Sequence, residues 1–193
     1  MWDGFQPPHK SKLASKDLLI MLSIYKEPID LFNKLVREAM RTWQSDQITD
    51  KNDHFLNFCI TSLSLRDWCS KYLNLSDTDT KTFQLMHSQH RYLNLIGNIA
   101  NTSKHYTLDV GRKKIFDDIN TTSQEFTAMG LDGVINNDVS IQKNNLIIKV
   151  DDNTEENLFV ILINSYEEWR EIFNQYNIPM SNLIPLPYIF MTL

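Results

Sequence analysis

Through the first half of the chain, hydrophobic positions recur at spacings of three and four. After about residue 110 they give way to short alternating stretches broken by turn residues. The first pattern predicts a short helix over Ser15–Tyr25 and a second opening at Pro28, with Leu31, Leu35, Val36, Ala39 and Trp43 as its apolar stripe. A third covers Asp53–Leu73. There Phe55, Phe58, Cys59, Ser62, Leu65, Cys69 and Tyr72 share a face that Leu56, Ile60 and Leu63 widen, as in a helix buried on several sides of a bundle.

The fourth predicted helix, Thr80–Asp109, has one apolar face and one polar one. His87, Arg91, Asn94, Asn98, Asn101 and His105 follow one another at steps of four, three, four, three and four, so they stack in a row. Solvent-facing rows ordinarily carry Glu, Lys or Gln. Asn disfavours helix because its amide competes for backbone hydrogen bonds. Three Asn in line therefore imply a polar seam hydrogen-bonded to neighbouring helices, a face that recognises or transforms something, or a helix that breaks early. Ser76, Asp77 and Asp79 are the N-cap candidates before this helix.

Beyond it, strands are predicted near Gln124–Ala128, Val139–Gln142 and Leu146–Val150, the last two turning at Lys143–Asn145. A further strand is predicted at Leu158–Ile163. Ser165 and Glu168 then read as a capping box for an amphipathic helix over Tyr166–Tyr176. The uncharged tail Ile178–Leu193 carries Pro179, Pro185 and Pro187. It is expected to run extended and dock on its own chain, with a neighbouring subunit as the rival. The whole is an α+β fold: an N-terminal four-helix bundle, then a small antiparallel sheet and a C-terminal helix. Residues 1–110 form the bundle. Residues 111–193 pack on it, as a second unit or as part of one domain.

Composition narrows the function. The 193 residues include 42% hydrophobic and 22% charged positions, an ordinary globular balance. A formal charge of −5 argues against broad binding of DNA, which needs many phosphate-neutralising cations. The opening MWDGFQPPHK has no apolar run after its charges, and the longest apolar run, Leu158–Ile163, is too short for a membrane span. Cys59 and Cys69 fall about 15 Å apart along one helix and cannot pair there, so free thiols and a cytoplasmic address are expected.

No cofactor is implied. The five glycines are scattered, and there is no phosphate loop, H-E-x-x-H or paired-cysteine zinc motif. His87 and His90 sit at a permissible ligand spacing, yet His105 lies about 22 Å further along the same predicted helix, so no metal site is expected.

The blocks DHFLNFCITSLSLRDW and NIANTSKHYTLD are similar to uncharacterised bacterial and phage proteins that carry comparable blocks in the same order. A helical bundle with a His near the close of its last helix also distantly resembles the HEPN superfamily, many of whose members are metal-independent RNases of toxin and phage-defence systems. In that family four to six residues separate an Arg from the His that follows it. Here the six-residue spacing puts Asn98 where Arg is expected, and Arg91 has thirteen residues between itself and His105. The resemblance implies His105 as general acid or base, Asn98 or Asn101 orienting ribose or phosphate, and Lys104 partly standing in for the Arg. The acidic balance and the missing Arg favour a different class: a binding or accessory module. Its His87, Arg91 and Asn94 face, or its apolar tail, would engage a partner protein, a second copy of itself or a ligand, with RNA as the alternative partner.

Overall fold

The computed structural model describes residues 24–104, 118–129, 134–151 and 153–190. These form α1 (Pro28–Gln44), α2 (Ile48–Tyr72), α3 (Asp77–Gln89), α4 (Arg91–Lys104), β1 (Asp118–Met129), β2 (Ile135–Asp151), β3 (Thr154–Asn157) and α5 (Leu158–Gln175). A short 3-10 turn, Leu186–Phe190, follows. The strands make one antiparallel sheet in the order β1-β2-β3. This is the α+β arrangement expected: four helices, a small antiparallel sheet, then a helix.

The identity of the four helices differs from expectation. The Ser15–Tyr25 helix falls almost wholly outside the described residues. The predicted helix Thr80–Asp109 is instead two, broken at His90, whose backbone is extended (φ −72°, ψ 121°). Phe83 and His87 point inward from α3 at a spacing of four. An unbroken helix would have carried Arg91, Asn94 and Asn98 into the same interior. The break lets α4 turn Leu93, Ile96, Ile99 and Ala100 inward instead, and the Asn row outward.

Two more expectations fail in the second half. Lys143–Asn145 is no turn: Gln124, Ser123 and Thr122 stand opposite its three residues, and β2 runs straight through. These polar side chains are satisfied by the sheet and the end of α1. Lys143 Nζ donates to the Trp43 carbonyl (3.4 Å), Asn144 Nδ2 to that of Asp46 (3.0 Å), and Asn145 Nδ2 to Gln124 Oε1 (2.5 Å). Leu158–Ile163 is the start of α5, capped by Asn157, whose Oδ1 accepts from the Val160 amide (2.9 Å). The Ser165–Glu168 capping box therefore does not form; Ser165 lies mid-helix, fully buried.

One buried cluster draws on all five helices, β2 and the tail, with Phe32, Phe58, Phe83, Leu93, Leu146, Ile148, Trp169 and Phe173 among its members. Trp43 gathers Phe126 (4.8 Å between ring centroids), Phe159 (5.5 Å) and Phe190 (5.2 Å), binding α1 to β1, α5 and the tail. The described part of the tail docks on its own chain. Ile178 and Ile189 are buried, Tyr166 Oη donates to the Ile184 carbonyl (3.0 Å), and Asn33 Oδ1 accepts from the Ile184 amide (2.8 Å). Its close is the 3-10 turn rather than extended chain. No described helix is long and apolar enough to cross a membrane.

Candidate functional site

The site is built on α4, and its N-terminus is held from two sides. A helix leaves its first amides without intrahelical partners. Here the Glu168 carboxylate reaches across from α5 and accepts from the Leu93 amide (2.8 Å) and the Tyr92 amide (3.1 and 3.2 Å). Burial pushes the Glu168 carboxyl up, while the Leu93 and Tyr92 amides pull it back. Arg91 forms an ion pair with Glu156 of β3 and lies 5.5 Å from the centre of the Tyr92 ring. His90 Nδ1 stands 3.9 Å from Glu171 Oε2. Arg91, expected as a ligand-binding group, is thus engaged in fastening β3 to α4.

Asn94, Asn98 and Asn101 keep the spacing read from the sequence and are half-buried on one outward face of α4. Asn98 Nδ2 donates to the Asn94 carbonyl (3.0 Å) and to Asn94 Oδ1 (3.2 Å), both within the helix. Thr102 Oγ1 donates to the Asn98 carbonyl (2.9 Å). Among the described residues, none of the three amides bonds another element, so the expected hydrogen bonds from Asn98 and Asn101 to neighbouring helices are not found. His105 lies outside the described residues, and Lys104 is described in backbone only.

His87 departs furthest from its expected place. It is 2% exposed, packed 5.1 Å from the Trp169 ring, and its Nε2 has no hydrogen-bond partner. Burial, with smaller contributions from the Arg66 and His90 charges, lowers its pKa from 6.5 to about 3. It is a neutral core imidazole, removed from the Asn row by the break at His90.

A second constellation went unread in the sequence. Glu38 of α1 is buried, and its Oε1 accepts from Arg41 Nη1 (2.9 Å) and lies 3.6 Å from Lys34 Nζ. Its Oε2 faces His54 Nδ1 of α2 at 3.7 Å. Lys34 Nζ also donates to Thr61 Oγ1 (2.6 Å). The i,i+3 and i,i+4 charge pairs within α1 are visible in the sequence. That α2 brings His54 to this carboxylate and Thr61 to Lys34 is not.

Three further reactive groups among the described residues are buried. Cys59 and Cys69 are buried and free, with burial pushing both thiols far up. Lys51 is buried with Nζ donating to the carbonyls of Thr42 (2.7 Å) and Trp43 (3.3 Å), closing the end of α1. Burial first, then the Lys143 charge, brings its pKa down to about 8. No family model matches the chain, and no curated protein or solved structure matches it either.

Proposed function

We propose that the protein is a binding module that engages a partner polypeptide, a second copy of itself included, through the outward face of α4. The observation that carries this reading is the row Asn94, Asn98 and Asn101, whose amides bond only within α4 among the described residues. Three residues that weaken a helix occupy one face of it. Among the described residues, none repays that cost by bonding another element. Each amide offers an uncharged donor and acceptor, the pair that a peptide backbone or a second amide row satisfies. The described tail serves the protein's own core, which leaves α4 as the better surface.

The test is a photo-crosslinking residue placed at Asn98 in cells, with the same residue at exposed Asp67 as the control. A discrete adduct from position 98 alone is expected, and its loss with Asn94→Ala/Asn101→Ala supports the row as the contact. Equal patterns from both positions, or none, refute the reading. The alternative, a HEPN-type RNase using His105 with Asn98 or Asn101, predicts RNA cleavage in EDTA that His105→Ala abolishes.

A further inference from the structure

We propose that His54 is a phosphoryl-acceptor histidine, held ready by Glu38. The argument starts from two buried atoms that lack partners and face one another. Glu38 Oε2 and His54 Nδ1 are each out of contact with water and without a hydrogen bond, and they stand 3.7 Å apart. Each unsatisfied group opposes burial, and a proton on Nδ1 with a sub-ångström approach of the ring satisfies both at once. Glu38 is fixed in place for this. Its other oxygen is taken by Arg41 and approached by Lys34, so Oε2 points at the imidazole. In an uncharged imidazole a carboxylate beside Nδ1 favours the tautomer with hydrogen there, which leaves the lone pair on Nε2.

The His54 side chain is 32% exposed, while its Nδ1 is buried. The accessible edge of the ring is therefore the Nε2 edge. Among the described residues Nε2 accepts no hydrogen bond, and the apolar cavity lined by Phe32, Phe58, Leu162 and Ile189 is lined by neither His54 nor Glu38. A partly exposed imidazole outside any enclosing cavity can receive a group from a donor that approaches it. Lys34 and Arg41 against Glu38 give that three-residue cluster one net positive charge, which suits an incoming phosphoryl group better than an uncharged acyl group. Nucleophilic histidine oriented through its second nitrogen is a general form of activated nucleophile.

In the transfer, the Nε2 lone pair attacks phosphorus of a donor such as an acyl phosphate or a phosphoramidate. The P–Nε2 bond forms as the donor's P–O or P–N bond breaks, and the leaving group departs with that electron pair. The Nδ1 proton stays between His54 and Glu38, whose negative charge offsets the positive charge that develops on the ring. Nothing is oxidised or reduced.

The test uses the full chain and phosphoramidate, with phosphohistidine mapped by peptide mass at mildly basic pH. His54 should be labelled at least about tenfold faster than in the same chain unfolded in urea, and faster than His87 or His90 in the folded chain. Glu38→Gln should bring the rate down to that of the unfolded chain while the protein still melts cooperatively, and His54→Gln should abolish the label at that site. If Glu38→Gln fails to fold, Arg41→Gln takes its place: it removes one oxygen's anchor and one cation, and a several-fold fall is expected. Folded and unfolded chains labelled at the same rate, or a folded Glu38→Gln chain labelled like wild type, overturn the proposal.

Discussion

Acidification should destabilise this protein through one residue, His87. The imidazole is 2% exposed and its pKa falls from 6.5 to about 3 on folding, chiefly through burial. Because the folded-state value is depressed, the unfolded chain binds the proton first. The neutral-imidazole stability is fully present above the unfolded value and is lost as pH falls below it. Between about pH 7.5 and about pH 5 the linkage integral comes to roughly 2 kcal/mol. A folded pKa one unit higher changes that figure by only about 0.1 kcal/mol, since the window ends well above both values. Such a loss is a large share of the roughly 5–15 kcal/mol that holds an ordinary domain. Glu168 works in the opposite sense: burial raises its carboxyl, so its protonation favours the folded state as pH drops. Urea melts near pH 7.5 and near pH 5 measure the difference, and His87→Leu should flatten most of it. A wild-type difference below about 0.5 kcal/mol, or an equal slope in the Leu variant, would refute the assignment of His87 as a buried neutral group.

Glu168→Ala should cost about 1–2 kcal/mol in a thermal or urea melt, because it strips the cap from α4 and leaves the Tyr92 and Leu93 amides unpaired. Asn98→Ala and Asn101→Ala should each change stability by no more than about 0.5 kcal/mol, since no other described element leans on them and Ala favours helix; a loss above 2 kcal/mol would make the row a structural seam. Truncation after Asn177 removes Ile178, Ile189 and the two bonds to Ile184, so it should lower the melting temperature with the sedimentation mass unchanged. Alkylation of Cys59 and Cys69 should be negligible in the folded chain and reach two sites once it is unfolded, as read by intact mass.

The bundle was legible because α1 and α2 advertise themselves by apolar spacing, and α1 by Pro28 at its first position. The break at His90 was not legible, because nothing local causes it. No proline or glycine interrupts His87–Leu93; the partner is Glu168, reached only through the tertiary fold. The same glutamate was misassigned to a local capping box, since S-x-x-E carries that signature whether or not the helix begins there. Leu158–Ile163 read as a strand because six apolar, partly β-branched residues fit a buried strand as well as a buried helix. Joining them to Ser165, Tyr166, Trp169, Ile172 and Phe173 restores the helical period. The Asn row survived the change in helix boundaries because its spacing lies within α4. His87 was lost from it because it sits before the break. Glu38 and His54 are sixteen positions apart on different helices, and spacing along one helix cannot pair them.

The grip on α4 has a consequence for how the chain acquires its structure. The amides of Tyr92 and Leu93 find their acceptor 76 and 75 positions later, and Arg91 meets Glu156 after 65. On a ribosome, α1 to α4 emerge well before any of these acceptors. At roughly 5–20 residues per second, the first turn of α4 and the surface awaiting Trp169 stay uncovered for several seconds. Contacts of such span are slow to form, because the loop must close before they contribute. The helical half is therefore the part a chaperone would meet, and arrival of α5 is the event that completes the fold.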